Sequence, residues 1–309
     1  MTVNIAWIRK VKNCEELWIV SDSRLSGDGT VWDQCAKLAI LPGNRSFISF
    51  AGSTNIAYPI MNQVHSTIAV HRKAVLGFMD VIEQKGHILN VINSTIKSIK
   101  FEYDGVKDID LKQTQFIFGG YSWVKKQFVI WKLFYDANID KFVAQKAVKT
   151  FNFGKCIIAG DISKKVAYFL KKYLEEKAQN LDELMTSNGE SKFNMEPYEV
   201  VRDLLYDKVI NANNDFRTIG GAPQLIKIYQ HSNAEPIGVF WSNKKDVLQN
   251  KSSIKQEGNA TLLGRYLQEY ENTDVIYMDP FSLEAKRIMS NNFWKDVKQG
   301  NEVEIEIEV

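Results

Sequence analysis

The chain has 309 residues, 45% hydrophobic and 25% charged, which is enough to bury a sizeable core and excludes a disordered or fibrous chain. With 39 Lys plus Arg against 37 Asp plus Glu the formal net charge is +2, so there is no global electrostatic drive toward nucleic acid or an anionic membrane. The three cysteines, Cys14, Cys35 and Cys156, form no C-x-x-C pair, which argues against a disulfide framework or a zinc ribbon and fits a reducing compartment.

The N-terminal stretch becomes charged at Arg9 and lacks the apolar run of a secretory signal. No window approaches the roughly 18 apolar residues of a membrane span, so a cytoplasmic location is expected. Thr2 to Ile8 and Leu17 to Arg24 are β-rich and flank a polar stretch. They predict a hairpin centred near residues 12 and 13, with Thr2 opposite the Asp22/Ser23 region. Beyond the turn at Gly27-Asp28-Gly29, two further strands, Lys37 to Leu41 and Ser46 to Phe50, flank Pro42-Gly43-Asn44.

From Thr54 the apolar period lengthens. Ile56, Ile60, Val64 and Ile68 recur every four residues, and Val75 to Lys100 continues with Leu76, Met79, Ile82, Leu89, Ile92 and Ile96, which predicts two helices. Strand character returns at Gln115 to Gly120, Phe128 to Tyr135, Phe142 to Val148 and Cys156 to Ala159. Helices are expected over Ser163 to Lys177 and from Pro197 to Asn211, and a strand over Ala222 to Tyr229. Strands in blocks alternating with helix pairs predict antiparallel sheets covered by helices, an α+β class. In the remainder, Gly238 to Trp241 reads as a strand and Ala260 to Tyr270 and Ser282 to Lys298 as helices. The tail Glu302 to Val309 alternates Glu with Val or Ile, compatible with an edge strand or a solvated acidic segment.

No P-loop, G-x-G-x-x-G, G-x-S-x-G or H-E-x-x-H is present. His65 and His71 are six apart, off the i, i+4 spacing of a helical metal pair, and nothing calls for a metal or a cofactor. One constellation carries chemistry. Thr2 follows Met1, Ser21-Asp22-Ser23-Arg24 closes the second strand, Lys37 opens the third, and Ala51-Gly52-Ser53 closes the fourth. Loss of the initiator Met, expected before a small residue, frees an α-amine on Thr2. That amine can act as base toward the hydroxyl of the same residue. A nearby buried Lys lowers the pKa of both groups by its charge, an Asp can hold that Lys, and Gly52 N–H is a candidate oxyanion donor.

These segments resemble proteasome β-type subunits and their bacterial proteasome-like relatives among the N-terminal nucleophile hydrolases. The resemblance rests on Thr2, Ile19 to Leu41, Phe50 to Ile60, Ile157 to Asp161 and Asp215 to Ile228. It implies a four-layer αββα sandwich over residues 1–229, with residues 230–309 as a partly helical extension. By that resemblance the nucleophile is Thr2, supported by Asp22 and Lys37, with Gly52 as oxyanion donor and Ser23, Gly160, Asp215 and Thr218 as supporting groups. It implies a threonine peptidase without cofactor or metal, acting on peptide or protein substrates. It also implies a homo-oligomer, with a ring as one form it can take, a separate ATPase partner, and no nucleic acid or membrane. The chain differs from the family at Ala159-Gly160-Asp161, which lacks a serine, and at Asp215-Phe216-Arg217-Thr218-Ile219-Gly220-Gly221, one residue longer than usual. A catalytically silent subunit and a small-molecule amidase are the alternatives.

Overall fold

The computed structural model describes residues 2–27, 30–100, 104–151, 153–178, 193–210, 219–230, 233–241, 260–267 and 274–289. In chain order the first strands are β1 (Asn4–Val11), β2 (Cys14–Ser21), β3 (Leu25–Gly27), β4 (Thr30–Trp32), β5 (Leu38–Ile40) and β6 (Ser46–Ala51). Then come helices α1 (Thr54–Ala69), α2 (Arg72–Val75), α3 (Val81–Ile96) and α4 (Asp104–Gln113). Strands β7 (Gln115–Ser122), β8 (Gln127–Asp136), β9 (Lys141–Lys146), β10 (Lys149–Thr150) and β11 (Gly154–Ala159) precede helices α5 (Ser163–Ala178) and α6 (Glu196–Ile210). The last strands are β12 (Gln224–Tyr229), β13 (Ala234–Phe240), β14 (Ala260–Leu262), β15 (Arg265–Tyr266), β16 (Asp274–Met278) and β17 (Ala285–Met289). The described chain is thus mixed α and β, and no described helix is long and apolar enough to cross a membrane.

Two compact units result, neither a contiguous stretch. The first comprises Met1–Ser21, Lys37–Val201 and Ile226–Glu235, the second Asp22–Ala36, Arg202–Leu225 and Pro236–Val309. In the first unit one sheet runs β10-β11-β1-β2-β12 and another runs β5-β6-β7-β8-β9. β1 and β2 meet β6, β7 and β8 of the second sheet, and β11 meets β7 and β8. Helix α1 packs on α3 and β6, α3 on β7 and β9, and α5 on β11. All six residues of β6 are buried, as expected of a strand covered on both faces. Lys177 ties α5 to α6, its Nζ lying 3.2 Å from Glu196 and 3.5 Å from Glu199.

The β1–β2 hairpin forms about the expected centre. Asn4 pairs with Ser21, Trp7 with Trp18 and Val11 with Cys14, and Lys12 takes φ 52° at the reversal. On one face Trp7 and Trp18 stack with ring centroids 6.2 Å apart. The expected turn at residues 42–44 is also present, with Gly43 and Asn44 both at positive φ and Asn44 N–H donating to Leu41 O at 3.0 Å.

Three local expectations are corrected, and one helix, α4, was not expected. The second helix of the first pair does not begin at Val75: α2 stops there and Gly77 takes φ 73°. Asp80 then caps α3, its Oδ1 accepting from Ile82 N–H at 2.9 Å. Helix α4 is polar in sequence, DGVKDIDLKQ, and offered no apolar stripe to the periodicity reading. The helix expected over Ala260 to Tyr270 is a hairpin in its described part, where Thr261 faces Tyr266 and Leu262 faces Arg265. Leu263 and Gly264 both adopt positive φ, 47° and 84°, the geometry of a two-residue reversal that no helix can contain. The described part of Ser282 to Lys298 includes strand β17, antiparallel to β16. There Asp279 Oδ1 accepts from Phe281 and Ser282 N–H at 2.9 Å each, closing the turn between the strands. The alternating tail lies outside the described residues.

Candidate active site

Thr2 precedes β1 and Lys37 enters β5. Within the first unit the structure brings them together: Lys37 Nζ donates to Thr2 Oγ1 at 2.9 Å. Thr2 is 2% exposed and Lys37 is fully buried. Lys37 is also fixed through its backbone, since its carbonyl accepts from Phe50 N–H at 3.2 Å. Moving an ammonium out of water costs several kcal/mol unless it is compensated. The Thr2 hydroxyl is one of the groups that compensate it.

The corner between β11 and α5 closes the other side of Thr2. Asn4 pairs with Ala159 on β11, which carries Gly160 and Asp161 to the level of Thr2. Gly160 sits at φ 110°, and a Cβ there would lie 1.9 Å from Thr2 O, so only glycine allows the approach. Gly160 N–H donates to Gln115 Oε1 at 3.2 Å. Thr2 N–H, an amide in the Met1-bearing chain, donates to Asp161 Oδ2 at 3.2 Å. Asn4 Nδ2 donates to Phe50 O at 2.8 Å and Ser49 Oγ at 3.3 Å, fixing the start of β1 to β6. Two residues past Phe50, Gly52 takes φ 98°, and a Cβ there would lie 2.0 Å from Gln113 O.

Asp22 and Ser23 belong to the second unit and are fully buried. Asp22 Oδ2 accepts from Arg24 N–H at 3.3 Å and Gly220 N–H at 3.2 Å. Ser23 Oγ donates to Asp33 O at 2.7 Å, its N–H donates to Gly220 O, and its carbonyl accepts from Cys35 N–H, both at 3.0 Å. Gln224 Nε2 donates to Asp22 O at 3.1 Å and Cys35 O at 2.7 Å. Arg24 forks onto both carboxylate oxygens of Asp33, and that hydrogen-bonded pairing holds its pKa above the ordinary arginine value. The segment carrying Asp22 is therefore a hydrogen-bonded framework anchored on Gly220. Asp215 and Thr218 lie outside the described residues.

Among the sequence-derived candidates of the first unit, Thr2 and Lys37 are in direct contact and Gly160 abuts the Thr2 carbonyl. Asp161, Gln115 and Asn4 were not singled out. Their only signal was adjacency, Asp161 as the end of the Ile157 to Asp161 motif and Asn4 as the second residue after Thr2. Burial raises the Cys156 thiol pKa well above its ordinary value, which opposes a thiolate role. Among the described residues no three His, Cys, Asp or Glu cluster as a metal site would need. No protein-family model matches the chain and no curated protein is significantly similar to it, so the chemistry is argued from the geometry around Thr2.

Proposed function

We propose that the chain is an N-terminal threonine hydrolase that cleaves amide bonds, proteasome-like in chemistry and in a four-layer αββα fold. The observation that carries the reading is the 2.9 Å donation from the fully buried Lys37 ammonium to Thr2 Oγ1. Supporting the fold are two facing sheets with α1 and α3 against one and α5 against the other.

Once Met1 is removed, Thr2 Oγ1 attacks the substrate carbonyl while its proton passes to the Thr2 amine. Lys37 stabilises the developing alkoxide, and Gly52 N–H receives the oxyanion. The tetrahedral intermediate expels the leaving amine, which takes the proton, and an ester remains on Thr2. Water activated by the same amine hydrolyses the ester and restores the hydroxyl. Asp22 is the carboxylate that the family resemblance gives to this chemistry.

The test combines intact mass with a threonine-directed electrophile on wild type, Thr2→Ala and Lys37→Ala. The expected result is a mass lacking Met1 and one equivalent of label on wild type only. Retention of Met1, or a free Thr2 that never takes label, sinks the hydrolase reading and favours the catalytically silent subunit. A peptide library and a panel of small amides on processed protein then separate peptidase from amidase.

A further inference from the structure

Thr2 is held at three points, one of which the chemistry above already uses. Lys37 fixes the side chain, and the Gly160 backbone fits against the carbonyl. At the third point, Thr2 N faces Asp161 Oδ2 at 3.2 Å. Loss of Met1 converts that nitrogen from an amide into an amine that must accept a proton from Oγ1. We propose that Asp161 is a positioning residue for this amine, whose carboxylate holds the ammonium form in place and thereby sets the pH at which Thr2 becomes reactive. The inference rests on the hydrolase reading.

The charges around the amine come from several elements. Lys37 approaches from the entry to β5, and its positive charge favours the neutral amine. Asp161 approaches from the β11–α5 corner and favours the ammonium. Lys164 and Lys165 follow Asp161 in the chain, in the first turn of α5. Gln115, the other group fixed to this corner, is uncharged and bonds Gly160 N–H. A free α-amine titrates at about 7.7–8.0, so a modest shift in either direction moves it across the working range of an enzyme. The ammonium must release its proton to solvent before it can take one from Oγ1. While paired with Asp161 it does so less readily.

The test uses full-length protein freed from a cleavable N-terminal fusion so that the chain starts at Thr2, as wild type, Asp161→Asn and Asp161→Glu. Two profiles are measured against pH: acylation of the α-amine by an N-terminus-selective reagent, and labelling of Oγ1 by the threonine-directed electrophile. Asp161→Asn is expected to move the acidic limb of both profiles down by about 0.5–1 pH unit, a range set by an opposite charge on Asp161, which is itself exposed and screened by solvent. Asp161→Glu restores at least half of the displacement, and high salt shrinks the wild-type difference from Asp161→Asn. An amine profile unchanged in Asp161→Asn overturns the inference and leaves the hydrolase reading intact. A displaced amine profile with no reaction at Oγ1 at any pH overturns the hydrolase reading, and with it the role assigned to Asp161 in catalysis.

Discussion

Gly160→Ala tests whether the corner around Thr2 is as tight as the geometry requires. The new Cβ would lie 1.9 Å from Thr2 O and 2.7 Å from Thr2 C. Both are backbone atoms, so relief requires a main-chain shift of roughly 1 Å or more, not a side-chain rotation. Holding an L-residue at φ 110° adds about 1–3 kcal/mol of strain. With the displacement, the expected loss is about 2–4 kcal/mol, or about 5–15 °C in melting temperature for a body of 150–250 residues. The shift also moves Thr2 N off Asp161 and Oγ1 off Lys37, so labelling should fall more than stability alone accounts for. Gly86→Ala is the control: Gly86 lies inside α3 with nothing within 4 Å of a Cβ, and that change should stabilise by about 0.5–1 kcal/mol. Thermal unfolding and electrophile labelling of both variants decide the matter. A Gly160→Ala protein that melts and labels like wild type refutes the packing argument.

Lys37→Met preserves an apolar side chain of similar length but leaves Thr2 Oγ1 without its donor. Labelling should fall at least about 100-fold while chemical unfolding stays cooperative, and wild-type labelling in this variant would remove Lys37 from the mechanism. Lys227 is buried over the rings of Trp18 and Tyr229, at 5.2 and 4.0 Å, and burial lowers its pKa from 10.5. The unfolded chain then binds more protons than the folded one between the lowered value and 10.5, so stability should rise with pH across that window. Denaturant titrations between neutral pH and pH 10.5 should show the rise in wild type and its loss in Lys227→Met. Of the three thiols, exposed Cys14 should react with a thiol reagent in the native state, whereas buried Cys35 and Cys156 should react only after unfolding. Native labelling of Cys156, read by peptide mass, would contradict its burial.

How much was legible in the sequence depended on whether a feature is local. The β1–β2 register could be placed because the polar stretch between two apolar runs fixes the centre of a hairpin, and Lys37 stood out because a known chemistry needs a lysine near that hairpin. The residues 260–267 were misread because Thr-Leu-Leu-Gly carries apolar residues at spacings that suit a helix as well as a hairpin. Only the paired positive φ at Leu263 and Gly264 separates the two. The start of α3 was misplaced because Leu76 and Met79 fit the helical period, yet Leu76 stands exposed in the connection and Met79 is only half-buried. Asp161 could not be found by spacing, for its contact with Thr2 spans 159 residues. That contact depends on β1 choosing β11 as its second neighbour. Periodicity reports which face of a strand is buried, but it carries no information about which distant strand lies alongside.

The same non-local pairing explains why polar groups are tolerated where the two sheets of the first unit meet. Thr2, Asn4, Ser21, Lys37 and Ser49 are all buried there, although an apolar set of equal volume would fold at least as stably. Asn4 has an Oδ1 with no hydrogen-bond partner among the described residues, while its Nδ2 bridges to β6. A core that accepts a fully buried ammonium and an unsatisfied amide oxygen within a few residues of one hydroxyl departs from the packing rule obeyed along the rest of β1 and β6. The departure is confined to the end of β1 nearest Thr2, since Ile5, Ala6 and Trp7 return to complete apolar burial. A stability cost concentrated at one hydroxyl, and absent three residues further along the same strand, is what selection for chemistry at that hydroxyl would leave behind.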